Sequence, residues 1–180
     1  MKELKDYIIP FVGLSIGSHR FDYHLKDEFF EFFEYDEFNS ADINVVLDFN
    51  KRSNHFDLNF SFEGKVNVNC DVTDEEFDMD IKGDLRLLVN EGEEFNDDNP
   101  ELLIIPHGEY ELNVAQYIYE MIVLSLPLRR VHPGIEDGTL DSDVYNKLEE
   151  LRPQGNIEEK EEEEKADPRW DKLKDLLTGK

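Results

Sequence analysis

The most concentrated basic segment of the sequence is Arg129-Arg130-Val131-His132, which follows a predicted helix end at Pro127. Two kinds of chemistry suit these side chains. Cations are favoured at a helix C-terminus, where they can cap backbone carbonyls or pair with nearby acids. Alternatively, they form a small contact for RNA phosphates or for the acidic groups of a partner. The sequence leaves both interpretations open.

The chain has one cysteine, Cys70, so it can form no internal disulfide, which fits a reducing compartment. Cys70 lies on the same alternating face as Val66 and Val68, and we therefore predict a buried core thiol. No basic residue adjoins it in the sequence to stabilise a thiolate nucleophile.

The five histidines are scattered, and the sequence contains neither a metal-ligand spacing nor a Gly-rich phosphate loop. The acids are so numerous that no catalytic pair can be picked out. We therefore predict no catalytic residue, no metal, no cofactor and no enzymatic activity. A metal-dependent hydrolase hidden among the acids is the enzymatic alternative.

Acidic residues dominate the composition, with 44 Asp and Glu against 19 Lys and Arg, for a net charge of −25. This charge repels nucleic-acid backbones, so DNA is not an expected partner and contact with RNA must be local. It favours either a basic protein partner or simple solubility. No apolar stretch approaches the ~20 residues that cross a bilayer, and no secretory signal is recognisable. We expect a cytoplasmic protein without a membrane partner.

Apolar and polar residues alternate in four successive stretches in the middle of the chain: 43–49, 56–62, 66–72 and 77–89. This period of two predicts strands, and the short turns between them leave no room for helices. We expect an antiparallel meander with one wet face. Upstream, the sequence predicts another half-buried strand over 19–25, and one or two helical turns beginning at Asp27.

Other segments are less regular. Residues 7–14 contain Pro10 and predict an edge strand or an irregular lead-in. The acidic, Asn-rich stretch 91–100 predicts a loop, and a short apolar strand follows at Leu102 to Ile105. Asn113 and Gln116 are spaced as a capping box for a central helix that ends at Pro127. The helix packs on the sheet through the apolar residues at its helical spacing, namely Ala115, Ile118, Tyr119, Ile122 and Leu126.

The C-terminal region predicts two helices separated by a linker. Residues 141–151 predict a short acidic helix, and 153–166 an acidic flexible linker. Asp167-Pro168 is a helix-start signal for an amphipathic helix over 167–180. Its apolar face carries Trp170, Leu173, Leu176 and Leu177. This helix either folds back on the domain or binds a groove on a partner, and the linker favours a partner.

Together these patterns predict an α+β fold in a single domain over 1–152. The sheet is an antiparallel β meander or a partly closed barrel of about six to eight strands. A packed central helix and the C-terminal amphipathic helix complete it. Oligomeric state is left open.

Three segments carry a resemblance to a known family, the first of them the strand Gly64 to Val72 with Cys70 near its end. The run from Tyr119 to Pro127, followed by His132, and the tail Asp167-Pro168-Arg169-Trp170 resemble the central and C-terminal signatures of the YceD-like proteins. The Phe-rich N-terminal segment is similar to versions from the Bacteroidetes group. The family often has a Cys-x-x-Cys-like element where this chain has Cys70-Asp71-Val72-Thr73. The second cysteine is absent, so no metal or redox role carries over.

The resemblance implies a non-enzymatic accessory factor in accumulation or processing of the large ribosomal RNA. The partner would be that RNA or a basic ribosomal protein. We predict partner contacts through seven residues: Arg129, Arg130, His132, Arg169, Trp170, Leu173 and Leu177. The alternative is a general interaction adaptor that uses the acidic tail and the Trp170 helix.

Overall fold

The computed structural model describes residues 4–136, 138–140 and 143–151. The chain divides into two units, Met1–Tyr145 and Asn146–Lys180. The second unit is described only over 146–151, the last residues of a helix. The predicted linker and amphipathic helix lie outside the described residues, and the predicted boundary at 152 stays a prediction. No helix in the described ranges combines the length and apolar character that crossing a bilayer requires.

The fold is α+β and is built on a six-stranded sheet of order β2-β3-β4-β5-β7-β6. All neighbouring strands run antiparallel except β5 and β7, which are parallel. A separate two-stranded pair joins β1 to β8. The strands are β1 (Ile8–Ile9), β2 (Gly17–Lys26), β3 (Ser40–Lys51), β4 (His55–Asn69), β5 (Glu76–Gly92), β6 (Asn96–Asn99), β7 (Leu102–Pro106) and β8 (Leu112–Asn113).

The central meander is confirmed, but the barrel alternative is wrong because the sheet is open, with β2 and β6 at its edges. The strands are also longer than the pattern indicated. Gly64 lies inside the single strand β4, which joins two stretches that the pattern separated, whereas β5 runs through Gly83 as predicted. A side chain at Gly64 would collide with the backbone of Asp42 on the neighbouring strand, so glycine here permits close pairing.

Four helices are described: α1 (Asp27–Phe32), α2 (Ala115–Leu124), α3 (Pro133–Glu136) and α4 (Asp143–Leu151). The positions of α1, α2 and α4 agree with their sequence patterns. Helix α2 packs against β5 and buries Ala115, Ile118, Met121 and Ile122 in the core. Burial of such side chains stabilises the fold by roughly 1.5–3 kcal/mol for each large one, before the entropic cost of ordering.

The predicted capping box is wrong, because the N-cap residue of α2 is Val114, which makes no side-chain capping hydrogen bond. The Asn113 side chain accepts a hydrogen bond from the Ala115 N–H at 2.9 Å. Gln116, however, donates to Glu120 at 2.8 Å, one turn further along the helix, and does not reach back to Asn113. Helix α2 ends at Leu124, three residues before Pro127, with 3-10-type hydrogen bonds to Ser125 and Leu126.

Residues 7–14 form the irregular lead-in that was one of the two predicted alternatives, whereas the predicted acidic loop contains a strand. Residues 7–14 contain the two-residue strand β1 between two 3-10 turns, rather than one edge strand. Within the predicted acidic loop, Asn96–Asn99 form the exposed edge strand β6. Lys51 fixes the second 3-10 turn, because its Nζ donates to the carbonyls of Phe11 and Leu14 at 2.8 and 2.9 Å.

Candidate partner-binding surface

Residues 130–132, which follow α2, form hydrogen bonds with the turn between β4 and β5. The Asp71 N–H donates to the Arg130 carbonyl at 2.8 Å, and the Arg130 N–H donates to the Asp71 carboxylate at 2.6 Å. Two residues further on, the His132 N–H donates to the Cys70 sulfur at 3.3 Å. Backbone groups that water would otherwise satisfy are thus paired across this junction. The basic segment predicted from the sequence is therefore held in a fixed conformation.

Arg130 is an internal tether in this structure. Its guanidinium donates to the Glu37 carboxylate at 2.9 Å and lies 3.6 Å from the Asp71 carboxylate. The side chain is only 22% exposed. This geometry matches the structural interpretation, in which the basic segment pairs with nearby acids. A further contact from Arg130 to a partner stays a prediction.

An aromatic cluster positions Glu37 for this ion pair. The ring of Phe33, just after α1, stacks on Tyr119 of α2 with centroids 4.3 Å apart. Tyr35 packs edge-on against Tyr119, and its hydroxyl donates to Glu37 at 3.4 Å. Burial, followed by the Glu37 charge, raises the pKa of Tyr35 to about 12, so the hydroxyl stays protonated as a donor. The loop between α1 and β3 is thereby fixed beside Arg130.

Cys70 is buried, as predicted, with 2% of its surface exposed. Burial raises the pKa of the thiol, but hydrogen bonds outweigh burial and the net pKa is lowered. The His132 N–H donates to the sulfur at 3.3 Å, and the Thr73 and Val72 groups of the turn also lower the pKa. The stabilising groups come from the turn and from across the fold, which the sequence neighbours of Cys70 could not indicate.

His132 is half-buried and also has a structural place. Its ring meets Phe77 edge-on with centroids 5.4 Å apart, and its Nδ1 accepts the Gly134 N–H at 3.0 Å. In the parts of the chain that the structure describes, no three His, Cys, Asp or Glu side chains are grouped to hold a metal ion.

Arg129 differs from its neighbour because its side chain is exposed and makes no ion pair with any described residue. Two leucines close to it in the sequence are also exposed, Leu124 at 83% and Leu128 at 107%. Beside them a groove of about 510 Å³ runs between the start of β5 and the segment 127–133. A fixed backbone thus presents a cation and apolar side chains to solvent, which suits contact with a partner.

The remaining predicted contact residues, Arg169, Trp170, Leu173 and Leu177, lie outside the described residues. Sequence reasoning missed two residues that complete the site, Glu37 and Asp71. Glu37 lies 93 positions before Arg130, and no spacing rule connects them. Asp71 was noted only as part of the cysteine element.

Comparisons with known proteins identify the family of the chain. A family model described as large ribosomal RNA subunit accumulation protein YceD matches residues 58–177, a range that includes most of β4, β5, α2 and the Arg130 junction. Neither the curated proteins nor the solved structures contain a significant match. The predicted kinship with Bacteroidetes versions stays a prediction. Because the match covers more than half of the chain, the protein belongs to the YceD family of large ribosomal RNA subunit accumulation proteins.

Proposed function

We propose that this protein is a non-enzymatic, cytoplasmic accessory factor that supports accumulation of the large ribosomal RNA by holding a basic ribosomal protein. The family name points to the process. The mechanism is carried by the charge distribution: the net charge is −25, and Lys65, Arg86 and Arg130 are paired with carboxylates within the fold. An acidic surface attracts a basic protein and keeps it from premature contact with RNA.

The pairing of cations favours a protein partner over direct RNA binding. Arg130 is bound by Glu37 and Asp71, and Arg86 by Asp57 through two hydrogen bonds of 3.0 Å. Lys51 is bound by backbone carbonyls. Phosphate binding depends on cations that can displace counterions, and these three described cations already have partners in the fold. Arg129 and His132 fit this proposal as local contacts at the edge of an acidic surface.

The test is affinity purification of the tagged full chain from its own host at low salt, with analysis of both RNA and protein. We expect basic large-subunit proteins to be recovered and to be lost at high salt, because exposed charge pairs are screened. Recovery of large-subunit RNA without ribosomal proteins, in an amount that a competitor for protein binding does not reduce, would contradict the protein-holding mechanism. Recovery of neither would overturn the proposed function.

The adaptor alternative is separated by deleting 155–180. If the partner is lost with the tail, the acidic tail and the Trp170 helix carry binding, which favours an adaptor. If the partner is kept, the described domain carries it. Thermal unfolding with divalent metals tests the remaining hydrolase alternative, since a ligand that binds only the native state must raise the Tm. We expect no metal to raise it.

A further inference from the structure

Strand β5 has two neighbours over only part of its length. The strand has 17 residues and pairs with β4 from Asn90 back to Glu76. On its other side, β7 pairs only with Leu88 to Gly92. Among the residues that the structure describes, no strand pairs with 76–87 on that side. A long stretch of a central strand is therefore a sheet edge.

The direction of the backbone groups on this edge follows from two hydrogen bonds. The Leu88 N–H donates to the Glu101 carbonyl at 2.9 Å, and the Gly92 carbonyl accepts the His107 N–H at 3.0 Å. Both even-numbered residues thus face away from β4, and the β4–β5 register runs without a bulge. N–H and C=O of one residue point to the same side of a strand, and the side alternates along it. Beyond Glu76, the first residue of the strand, the groups that face the open edge belong to Asp78, Asp80, Lys82, Asp84 and Arg86.

These five residues carry five N–H and five C=O groups that bond to no described residue across the edge. We call this set the open edge. An unpaired row of this kind is a template for another strand. The side chains of the same residues are exposed on the outer face of the sheet. An incoming strand would therefore not have to displace a packed apolar side chain.

The groove described above borders this edge rather than one face of the sheet. Its lining includes Phe77, Asp78, Met79 and Asp80, four consecutive residues of β5. Phe77 and Met79 point to the apolar face, whereas Asp78 and Asp80 point to the outer face. Side chains of both faces can line one cavity only where the strand itself forms the border. The opposite wall, 127–133, offers Pro127, Val131 and Pro133 for apolar contact.

Charge selects the kind of segment that fits. Glu76, Asp78 and Asp80 bring three carboxylates to the part of the edge beside the groove. Asp80 also lies 3.6 Å from the exposed Lys65 Nζ. On the opposite wall, Arg130 is neutralised by Glu37 and Asp71, and Arg129 is the one lining cation without a described carboxylate partner, so the carboxylates outnumber it. Lys82 and Arg86 alternate with acids further along, and the whole chain is strongly acidic. A basic extended segment is complementary to this surface, and an acidic one is repelled.

The geometry points to the open edge of β5 as the docking site for an extended, basic segment of a partner protein, which adds a strand to the sheet. This inference rests on the proposed function for the basic character of the partner and supplies the mode of binding. Main-chain hydrogen bonds hold the segment, and its alternate side chains enter the groove or meet the carboxylates.

The probe is a synthetic peptide of about ten residues with alternating lysine and valine, long enough to cover the edge at about 3.3 Å per residue. The control peptide has the same sequence with an N-methyl group on every residue, which removes its backbone donors on both sides. Fluorescence anisotropy with the full chain should show binding of the first peptide and not of the second. Equal binding of both peptides, or binding of neither, would overturn the docking mode.

Amide hydrogen exchange gives a residue-level readout. In the free protein, the N–H groups of the open edge should exchange quickly, while those of the intervening residues are protected by β4. Adding the peptide should slow exchange at Asp78, Asp80, Lys82, Asp84 and Arg86 alone. No change in this alternating pattern, with the peptide bound, would place binding elsewhere.

A matched pair of variants tests the same edge. Lys82→Pro removes one N–H of the open edge and should fold, because that N–H takes no part in pairing with β4. It should weaken peptide binding roughly tenfold, the effect expected for one lost hydrogen bond plus a steric clash. Lys82→Ala keeps the N–H and removes a positive charge, so it should bind the basic peptide as well as or better than the native chain.

Unchanged binding by Lys82→Pro, with an unchanged Tm, would overturn the docking mode. The charges on β5 would then serve only to prevent strand pairing at this edge. If the peptide fails in every assay while ribosomal proteins are still recovered from the host, the docking edge is wrong and the proposed function stands. If both fail, the proposed function falls with it.

Discussion

Arg130 and Arg86 both pair with carboxylates, but they hold different parts of the molecule together. Arg86 on β5 binds Asp57 on the adjacent strand β4, a cross-strand pair in which the arginine side chain is 70% exposed. Arg130 is 22% exposed and joins three segments, since its partners lie in the loop before β3 and in the β4–β5 turn. The Arg86–Asp57 pair joins two strands that backbone hydrogen bonds already connect. The Arg130 ion pairs join segments that no strand pairing connects.

Arg130→Ala should have the largest effect, a loss of about 2 kcal/mol in the free energy of unfolding. It leaves Glu37 and Asp71 close together without their shared cation. Urea unfolding measures the loss, and Arg129→Ala is the control because that exposed neighbour should change stability by less than about 0.5 kcal/mol. Equal effects of the two variants would mean that the junction does not depend on the guanidinium.

Cys70→Ala probes the same junction without changing charge. The buried sulfur packs in the core and accepts the His132 N–H. We expect a loss of about 1.5 kcal/mol, from the small cavity and the unpaired donor. Unfolding at low and high salt separates it from Arg130→Ala, because only the ion pair should be screened. A salt dependence for Cys70→Ala would show that the two contacts are coupled.

Arg86→Ala should destabilise the chain less than Arg130→Ala does, because the guanidinium of Arg86 is mostly in water. Asp57 is then left nearly buried without a partner. The double-mutant cycle with Asp57→Ala gives the coupling energy of the cross-strand pair. A coupling larger than that between Arg130 and Asp71 would reverse the comparison.

The smallest expected effect is on the pH dependence of stability. The hydrogen bond from Arg86 holds the pKa of Asp57 below its usual range, against the opposing effect of burial. A carboxyl with a lowered folded-state pKa contributes stability that is present above its unfolded pKa of ~3.9 and is lost as the pH falls through the folded value. Urea unfolding below pH 4 should therefore show a shallower fall for Arg86→Ala than for the native chain. Parallel curves would contradict the assignment.

The sequence predicted the pairing of the central strands but missed the contacts of Arg130 with Glu37 and Asp71, for a physical reason. Strand periodicity is local, so the alternation from Ile43 to Val89 was enough to predict β3 and β5, and to predict β4 as two stretches divided at Gly64. The parallel pairing of β7 with β5 depends on where a short strand inserts, which no local pattern states. The same limit applies to Glu37 and Arg130, whose contact needs the whole sheet to form first. Of the candidate site, the sequence indicated the basic segment but not the acids that bind it.

The separation of 93 positions between Glu37 and Arg130 has a consequence for the order of folding. Closing so long a loop costs more chain entropy than pairing neighbouring strands, so the meander should form before the junction. Contacts that form after the transition state affect mainly the unfolding rate. Arg130→Ala should therefore leave the refolding limb of the chevron almost unchanged and raise the unfolding limb. The junction should therefore slow unfolding and lengthen the lifetime of the folded chain.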